Sequence, residues 1–290
     1  MKTLACGMIG VRINKFGRVS TPMAPSMEDL STVLRRMLGG LRFRDRARAA
    51  LVHLALSAAV AMLAAVLVFV LWYPDPFREI SGGRELFFIV IAVDVMLGPL
   101  VTFAIFNRRK PWRELRRDLA VVGLLQLAGL VYGLHTVYVV RPVVVALEGD
   151  RLRVVRVYDL AGADLTKAPP EFQRLPLWGV HWIATRQPRP DEKLQAMTMG
   201  LEGVDVGMRP GFWLPSSATA TAMANAAQPV DKLRKRYPKR VAELDVAIAT
   251  TGRPAGSLKF LPILARRTDW VALVDAGTGD IVGYAPFDGF

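Results

Sequence analysis

Three long apolar stretches separated by short charged segments constrain the fold of this chain more than any other feature. Residues 49–73 contain no Asp, Glu, Lys or Arg. As a helix they would extend roughly 37 Å, enough to cross a bilayer hydrocarbon core of about 30 Å. Residues 86–106, interrupted by Asp94, and residues 119–140, with Gln126 and His135 as strongly polar members, are also long enough. We therefore predict a membrane protein with a three-helix transmembrane bundle over residues 49–140.

The charges beside these stretches predict the orientation of the bundle. Residues 1–48 form a basic segment with 10 basic and 3 acidic side chains, and residues 107–118 have six basic and two acidic ones. The loop 74–85 carries more acidic than basic residues. Because cytoplasmic loops are enriched in Lys and Arg, we expect the N-terminus and the second loop to be cytoplasmic. Residues 141–290 would then lie in the periplasm of a bacterium, and the bundle in its inner membrane.

Composition narrows the possible partners. The chain is 52% hydrophobic and has a net charge of +13. Residues 141–290 carry 20 basic and 16 acidic side chains, so the excess charge lies beside the apolar stretches rather than on a nucleic-acid-binding face. We expect membrane lipid and no nucleic acid as a partner. The single cysteine, Cys6, excludes an internal disulfide and a cysteine-based metal cluster.

The segment before the first apolar stretch contains a second helical pattern. From Ser26 the sequence has the spacing of a helix N-terminus, and apolar residues then recur on one face up to Met37. Two interpretations remain open. This helix lies on the inner membrane surface with its arginines facing anionic lipid, or it is a short, frayed helix held near the membrane by the next segment.

Residues 141–290 are predicted to form an α+β domain. Residues 143–149 and 151–160 are separated by a Gly-Asp turn and indicate a hairpin, and a second hairpin is predicted over 270–287. Residues 191–203 and 239–252 are predicted helices, each with a glycine suited to ending it. Residues 216–229, small and polar, indicate either a flexible connection or a weak helix.

This domain shows no motif for catalysis. It has no Gly-rich phosphate loop, no HExxH sequence and no nucleophile elbow. Asp275 and Asp280 lack the spacing of a calcium loop and are ordinary turn residues. His181 is the only histidine of the domain, which makes it a weak candidate for catalysis. We expect no catalytic residue, no cofactor and no metal site.

Asp94 is the most informative residue of the bundle. A carboxylate in mid-membrane costs about 2.5–3.5 kcal/mol on insertion scales, so it usually faces a partner. Asp94 lies about 12 Å from the outer end of its stretch, the depth at which Tyr132 lies on the third one. We therefore predict that the Asp94 carboxylate accepts a hydrogen bond from Tyr132 or from His135. Its role is either a polar lock within the bundle or a contact for another transmembrane helix.

The sequence resembles the TfpX/TfpZ type IV pilin accessory proteins over about residues 49–290. The segments that carry the resemblance are LWYPDPF (71–77), GGRELFFI (82–89), VDVMLGPLVTF (93–103), FNRRK (106–110), DLAVVGLLQLAGLVYGLHTVYVVRP (118–142), LEGVDVGMRPGFWLP (201–215) and LPILARRTDWVALVDAGTGDIVGY (261–284).

The resemblance implies an inner-membrane protein that assists the assembly of a major type IV pilin into pili, and it brings no catalytic residues. The residues shared with the family pattern are Asp94, Gly98, Pro99, Gln126, Tyr132, Gly133, Arg141, Pro142, Asp205, Arg209 and Pro210. Each also has a structural interpretation. Gly98 and Pro99 would let the helix bend or a neighbour approach, Arg141 would extend to the membrane interface, and Arg209 would pair with Asp205.

Two other functions are weighed against this one. A membrane-anchored periplasmic sensor needs a cytoplasmic output, and only the basic segment 1–48 is expected on that side. A pilin-modifying enzyme needs an acidic or nucleophilic cluster at a membrane face, and the sequence shows no obvious one. The sequence therefore favours a non-enzymatic accessory protein for pilus biogenesis, of undetermined oligomeric state.

Overall fold

The computed structural model describes residues 12–13, 19–20, 27–107, 110–265 and 270–290. Cys6 and the first residue of the predicted Ser26 helix lie outside them. Two short strands, β1 (Arg12–Ile13) and β2 (Val19–Ser20), pair with each other. The helices that follow are α1 (Met27–Val66), which continues as a π-helical segment (Leu67–Trp72), α2 (Phe77–Ile80), α3 (Gly83–Ile105) and α4 (Trp112–Val139).

Of the described helices, three are long and apolar enough to cross a membrane: Phe43–Trp72, Gly83–Ile105 and Trp112–Val139. They overlap the three predicted apolar stretches, and the first and third begin six and seven residues earlier than predicted. The helix predicted from Ser26 is present from Met27, but it is neither short nor separate, because α1 runs without interruption from Met27 into the first stretch. No proline occurs between residues 25 and 74, and two mid-helix glycines cost only about 1 kcal/mol each.

The bundle is open on one side. Helix α3 packs against both α1 and α4, whereas α1 and α4 pack little against each other. A cleft therefore runs between α1 and α4, with α3 as its floor. We call the end where α1 finishes and α3 begins the domain end, and the opposite end, at residues 106–111, the loop end.

The C-terminal domain is built on a mixed sheet. Its strands are β3 (Pro142–Glu148), β4 (Arg151–Arg156), β5 (His181–Ala184), β6 (Gln228–Pro229), β7 (Leu258–Leu264), β8 (Val271–Asp275) and β9 (Ile281–Ala285). Their order is β5–β3–β4–β7–β8–β9, and β6 pairs with β7. The pairs β3/β5 and β4/β7 are parallel, and the others are antiparallel.

Four helices accompany the sheet: α5 (Lys193–Leu201), α6 (Ser216–Ala226), α7 (Asp231–Arg236) and α8 (Val241–Thr250). Both predicted hairpins are confirmed, as β3/β4 and β8/β9. Both predicted helices are present as α5 and α8, and the glycine after each has a positive φ, 86° at Gly203 and 64° at Gly252. The segment 216–229 is mainly the helix α6.

The loop between the first two long helices belongs to the sheet domain. Phe77 and Ile80, on α2, are 3% and 0% exposed and join a core cluster that includes Val145, Leu152 and Leu261. Sequence reasoning placed residues 74–85 within the transmembrane region 49–140, and the boundary at residue 141 therefore omits this part of the domain. The loop and the domain lie at the same end of the bundle.

Candidate functional site

A chain of hydrogen bonds joins the three long helices. His53 on α1 contacts Thr102 on α3 through Nδ1, at 2.6 Å from Oγ1, and Gln126 on α4 through Nε2, at 2.6 Å from Oε1. The Gln126 Nε2 donates in turn to the backbone carbonyl of Asp94, at 2.9 Å. The polar lock of the bundle is therefore built on His53 and Gln126.

The chemistry of the acceptors fixes the direction of this chain. The carbonyl of Asp94 can only accept, so the Gln126 NH₂ group points to it and the amide oxygen points to His53. That oxygen requires a hydrogen on Nε2, and the Thr102 hydroxyl can then donate to Nδ1. One hydrogen on the imidazole thus satisfies both ring nitrogens.

Pro99 and Gln126 act on the same part of α3. Because proline has no N–H, the carbonyl of Val95, four residues earlier, loses its helical donor. The Gln126 amide donates to the adjacent carbonyl, that of Asp94, from the neighbouring helix. Side chains of neighbouring helices commonly support a proline-interrupted helix in this way. The helix α3 continues through Pro99 to Ile105.

The predicted partners of Asp94 are wrong. Tyr132 is 75% exposed and His135 is exposed, and neither contacts the Asp94 carboxylate. One carboxylate oxygen of Asp94, Oδ2, is buried and has no hydrogen-bond partner among the described residues. The carboxylate instead lies against α4 at Gly129, where a Cβ would be 3.3 Å from Oδ1.

The prediction compared the depths of these residues along the helices but did not account for the rotation of α4 about its own axis. Gln126, Gly133 and Val137 face the bundle and recur at spacings of seven and four residues, as one face of a helix does. Each residue advances the helix by about 100°. Tyr132, one position before Gly133, and His135, two positions after it, therefore point away from α3.

Close packing at two glycines brings α3 and α4 together. A Cβ at Gly98 would lie 2.0 Å from Gln126 Nε2, and a Cβ at Gly133 would lie 2.2 Å from Val90 Cγ1. Small residues permit this approach between membrane helices. The predicted role of Gly98, close approach of a neighbour, agrees with these contacts.

The His53–Gln126 hydrogen bond spans the cleft between α1 and α4 and divides it into two halves. The outer half, toward the domain end, has a volume of about 200 Å³ and is lined by Ser57, Ala61 and Asp94. The inner half, toward the loop end, has a volume of about 790 Å³. His53 lines both halves.

At the domain end, the bundle and the sheet domain are joined by buried contacts. Arg141 is 1% exposed, donates from Nη2 to the Pro176 carbonyl at 2.6 Å and stacks on Tyr138 at 4.8 Å. The predicted extension of Arg141 to the membrane interface is therefore wrong. The Gly179 amide donates to the Leu71 carbonyl at 3.0 Å, which ties the domain to the end of the first helix.

Asp205 and Arg209 do not pair with each other. Asp205 forms an ion pair with Arg153 on β4, and the Arg209 guanidinium stacks on Phe212 at 4.5 Å. The prediction failed because Asp205 and Arg209 flank a single 3₁₀ turn, whereas Arg153 approaches from the sheet. Asp205 thus holds the 201–215 segment against the sheet, whereas Arg209 packs within that segment.

Glu148, at the end of β3, also holds the 201–215 segment against the sheet. Its Oε1 accepts a hydrogen bond from the Gly207 amide at 2.6 Å, and a Cβ at Gly207 would lie 2.6 Å from that oxygen. Burial raises the pKa of the Glu148 carboxyl, and the Gly207 hydrogen bond and Arg153 oppose this effect only in part.

We expect Glu148→Gln to flatten the pH dependence of domain stability. The folded protein keeps the Glu148 proton at pH values where the unfolded chain has lost it. The free energy of unfolding therefore falls as pH rises from the ordinary pKa of 4.5 through the raised folded value. Gln retains the acceptor for Gly207 without a charge. Thermal unfolding of the full chain in detergent between pH 4 and 8 measures how the stability of each variant depends on pH. Glu202→Gln, at an exposed side chain, is the control. If stability depended on pH in the same way in the wild type and in Glu148→Gln, the prediction would be contradicted.

Helix α5 presents an apolar face to solvent. Leu194, Met197 and Leu201 are 77%, 70% and 91% exposed, and their spacing places them on one side of the helix. Single exposed apolar residues are ordinary, but a row of three on one helix face is typical of an interaction surface.

Across the part of the chain that the structure describes, there is no cluster of three or more His, Cys, Asp or Glu side chains suited to a metal. Sequence reasoning missed His53 and Thr102 as members of the polar cluster. The signal for His53 was available, because it is the strongly polar residue of an otherwise apolar first stretch and needs a partner there.

Comparison with known proteins agrees with the sequence resemblance. Residues 41–82 match the family described as fimbrial assembly protein FimB. The fimbrial assembly proteins of Dichelobacter nodosus serogroups I and E1 are 32% and 31% identical over 237 residues, which cover 81% of this chain and 92% of each relative. That of serogroups C1 and C2 is 37% identical over 127 residues, 44% of this chain and 97% of the relative.

No solved structure matches the chain. The identity and coverage of the Dichelobacter nodosus proteins confirm the resemblance to the TfpX/TfpZ proteins, and the chain belongs to the FimB family of fimbrial assembly proteins.

Proposed function

We propose that this protein is a non-enzymatic accessory protein of the bacterial inner membrane that assists the assembly of type IV pilin into pili by contacting the pilin. The observation that carries the proposal is the Asp94 carboxylate, whose Oδ2 is buried without a partner among the described residues on the floor of the open cleft. Such a group favours a neighbouring helix with a hydrogen-bond donor at the same depth. The relatives from Dichelobacter nodosus are fimbrial assembly proteins by name, which supports a role in fimbrial assembly.

In this proposal the sheet domain lies in the periplasm and the N-terminus in the cytoplasm. The charge distribution of the loops supports this orientation. Leu177 and Trp178, 68% and 65% exposed, adjoin Gly179, which bonds the end of the first long helix. An exposed Trp at that level is typical of a membrane interface, where the indole lies among the headgroups.

The outer half of the cleft would receive the apolar helix of a pilin subunit. Ser57, Ala61 and Gly123 line it, and small side chains allow two helices to approach closely. The Asp94 side chain lines this half of the cleft, and by turning from Gly129 toward the cleft its carboxylate would accept a hydrogen bond from the incoming helix. The contact is open to the membrane on one side, so a bound subunit can leave it laterally when it enters the fibre.

The exposed face of α5 would contact the pilin head. Phe77 fixes the domain to the bundle through the loop 74–82, so the cleft and α5 are held on one scaffold. A pilin with one membrane helix and a periplasmic head could then contact both surfaces.

The proposal predicts fewer surface pili when this protein is deleted, counted by electron microscopy with the retraction motor present and absent. A deficit only with the motor present would mean that the protein favours extension, and a deficit in both backgrounds would place it in subunit assembly.

Leu201→Gln should reproduce part of the deficit at unchanged protein level, because this side chain is 91% exposed and contributes little to the fold.

Matched controls separate pilus assembly from the alternatives. Gln substituted at Val246, which is 65% exposed on α8 rather than on α5, should leave pilus number unchanged. An unchanged count after deletion in both backgrounds would contradict the proposal and favour a sensor or a pilin-modifying enzyme. A change in pilin mass after deletion would favour the enzyme.

A further inference from the structure

The geometry points to a binding site for an anionic phospholipid in the inner half of the cleft, with the phosphate at Arg48 and Lys110 and an acyl chain between α1 and α4. The inference rests on the membrane placement proposed above and not on contact with pilin. It assigns to the inner half a ligand different from the helix proposed for the outer half.

The shape of the inner half suits an elongated apolar ligand. Its volume of about 790 Å³ lies within the usual range for ligand pockets, about 300–1,000 Å³. Val52, Leu56, Leu115 and Leu119 form apolar walls. At its deep end the His53 imidazole is already bonded on both ring nitrogens, so it presents no unpaired polar atom to a chain that ends there.

The mouth of the inner half carries charged side chains of both signs. Arg48, Lys110 and Asp45 line it, with Trp112 beside them. Arg48 is exposed and forms no ion pair with any residue that the structure describes. Lys110 is already paired, with Nζ at 2.6 Å from Asp118 Oδ2 and 3.5 Å from Glu114 Oε1.

The surroundings of the mouth add positive charge. In the sequence, residues 42–48 carry four arginines and one aspartate, and residues 107–118 carry six basic and two acidic side chains. Basic pockets between transmembrane helices on the cytoplasmic side commonly hold the headgroups of anionic lipids. The Arg46 Nε donates to the Phe106 carbonyl at 2.9 Å, which connects α1 to the end of α3 at this level.

A phospholipid fits this site better than a protein helix does. A helix in the inner half would have to pass the mouth and would remove Arg48 from water without a counter-charge. A lipid phosphate supplies that charge, and its glycerol and chains continue into the apolar part. Arg48, which has no ion-pair partner among the described residues, and the excess of Lys and Arg in residues 42–48 and 107–118 favour a headgroup with net negative charge over a zwitterionic one.

Native mass spectrometry of the full chain, purified in detergent with equal amounts of phosphatidylglycerol and phosphatidylcholine, tests this site. The wild type should retain phosphatidylglycerol in preference. Arg48→Gln should lower the retained ratio about five-fold, as expected from ~1 kcal/mol per basic residue near anionic lipid. Ala49→Leu, which narrows the inner half alone, should lower retention of both lipids.

Two controls distinguish this site from general attraction of lipid to a basic protein. Arg113 is exposed and follows Trp112, which lines the mouth, and Ala55 is exposed on α1. Neither Arg113 nor Ala55 lines the cleft. Arg113→Gln and Ala55→Leu should therefore retain lipid like the wild type. The inference is overturned if Arg113→Gln lowers the ratio as much as Arg48→Gln, if Ala49→Leu has no effect, or if the wild type shows no lipid preference.

Discussion

Replacing Phe77 with alanine is expected to lower the free energy of unfolding of the sheet domain by about 3–5 kcal/mol, the usual cost of removing a buried phenylalanine. Phe77 is 3% exposed, and its ring centroid lies 6.1 Å from that of Trp182 and 6.3 Å from that of Tyr284. No strand of the sheet contributes this side chain. It comes from the loop between two helices of the bundle, so its loss would leave a cavity where the two parts of the molecule meet.

Hydrogen exchange of the β8 amides in the full chain measures this effect, because β8 lies inside the same core. Phe77→Leu conserves most of the volume and should cost less than about 1.5 kcal/mol. Phe290→Ala, at a side chain that is 43% exposed, is the matched control and should leave β8 protection nearly unchanged. If Phe77→Ala also left it unchanged, the loop would not be part of the domain core.

Gly98→Ala is expected to disrupt the bundle, whereas Gly123→Ala on the facing helix is not. A Cβ at Gly98 would overlap the amide of Gln126 at 2.0 Å, so Gln126 must leave its position. Its hydrogen bonds to His53 and to the Asp94 carbonyl are then lost. Overpacking costs about 1–3 kcal/mol, and hydrogen bonds between membrane helices average about 0.6 kcal/mol each.

The matched glycine has open space around it. A Cβ at Gly123 meets no atom within 4 Å among the described residues, so Gly123→Ala should be neutral or stabilising by up to about 1 kcal/mol of helix propensity. Titration of the purified protein with SDS, followed by circular dichroism, compares the two variants. Equal behaviour of Gly98→Ala and Gly123→Ala would show that the close contact between Gly98 and Gln126 is absent.

The sequence predicts the long helices well because length and hydropathy are local properties. The helices found overlap the predicted stretches, 49–73, 86–106 and 119–140. The hairpins at β3/β4 and β8/β9 were predictable for the same reason, since each turn carries glycines next to apolar runs.

Contacts between elements were not predictable in this way. The depth of a residue along a helix follows from counting residues, but the rotation of the helix about its axis depends on which face packs. Tyr132 was assigned to Asp94 on depth alone. His53 was overlooked because a single histidine does not interrupt an apolar stretch of this length. Arg153, the partner of Asp205, lies on a strand about 50 residues earlier in the chain, and local patterns give no sign of such a pairing.

The loop 74–82 was the largest omission in domain organisation. Its prolines, charges and glycines are typical of an exposed connection. Phe77 and Ile80 are nevertheless fully buried, because the sheet domain leaves part of its core to be filled by this loop. Burial by a distant part of the chain is a tertiary effect and leaves no periodic pattern in a short loop.

The most direct check on the proposed pilin contact is photo-crosslinking in intact cells from a photoreactive residue at Ser57, in the outer half of the cleft. Leu124, 68% exposed and outside the cleft, is the control position. We predict pilin adducts from Ser57 that decrease strongly with Asp94→Ala and with Asp94→Asn while the protein stays in the membrane, and few adducts from Leu124. Equal adducts from both positions, or adducts from Ser57 that persist in both Asp94 variants, would contradict a pilin helix bound at Asp94.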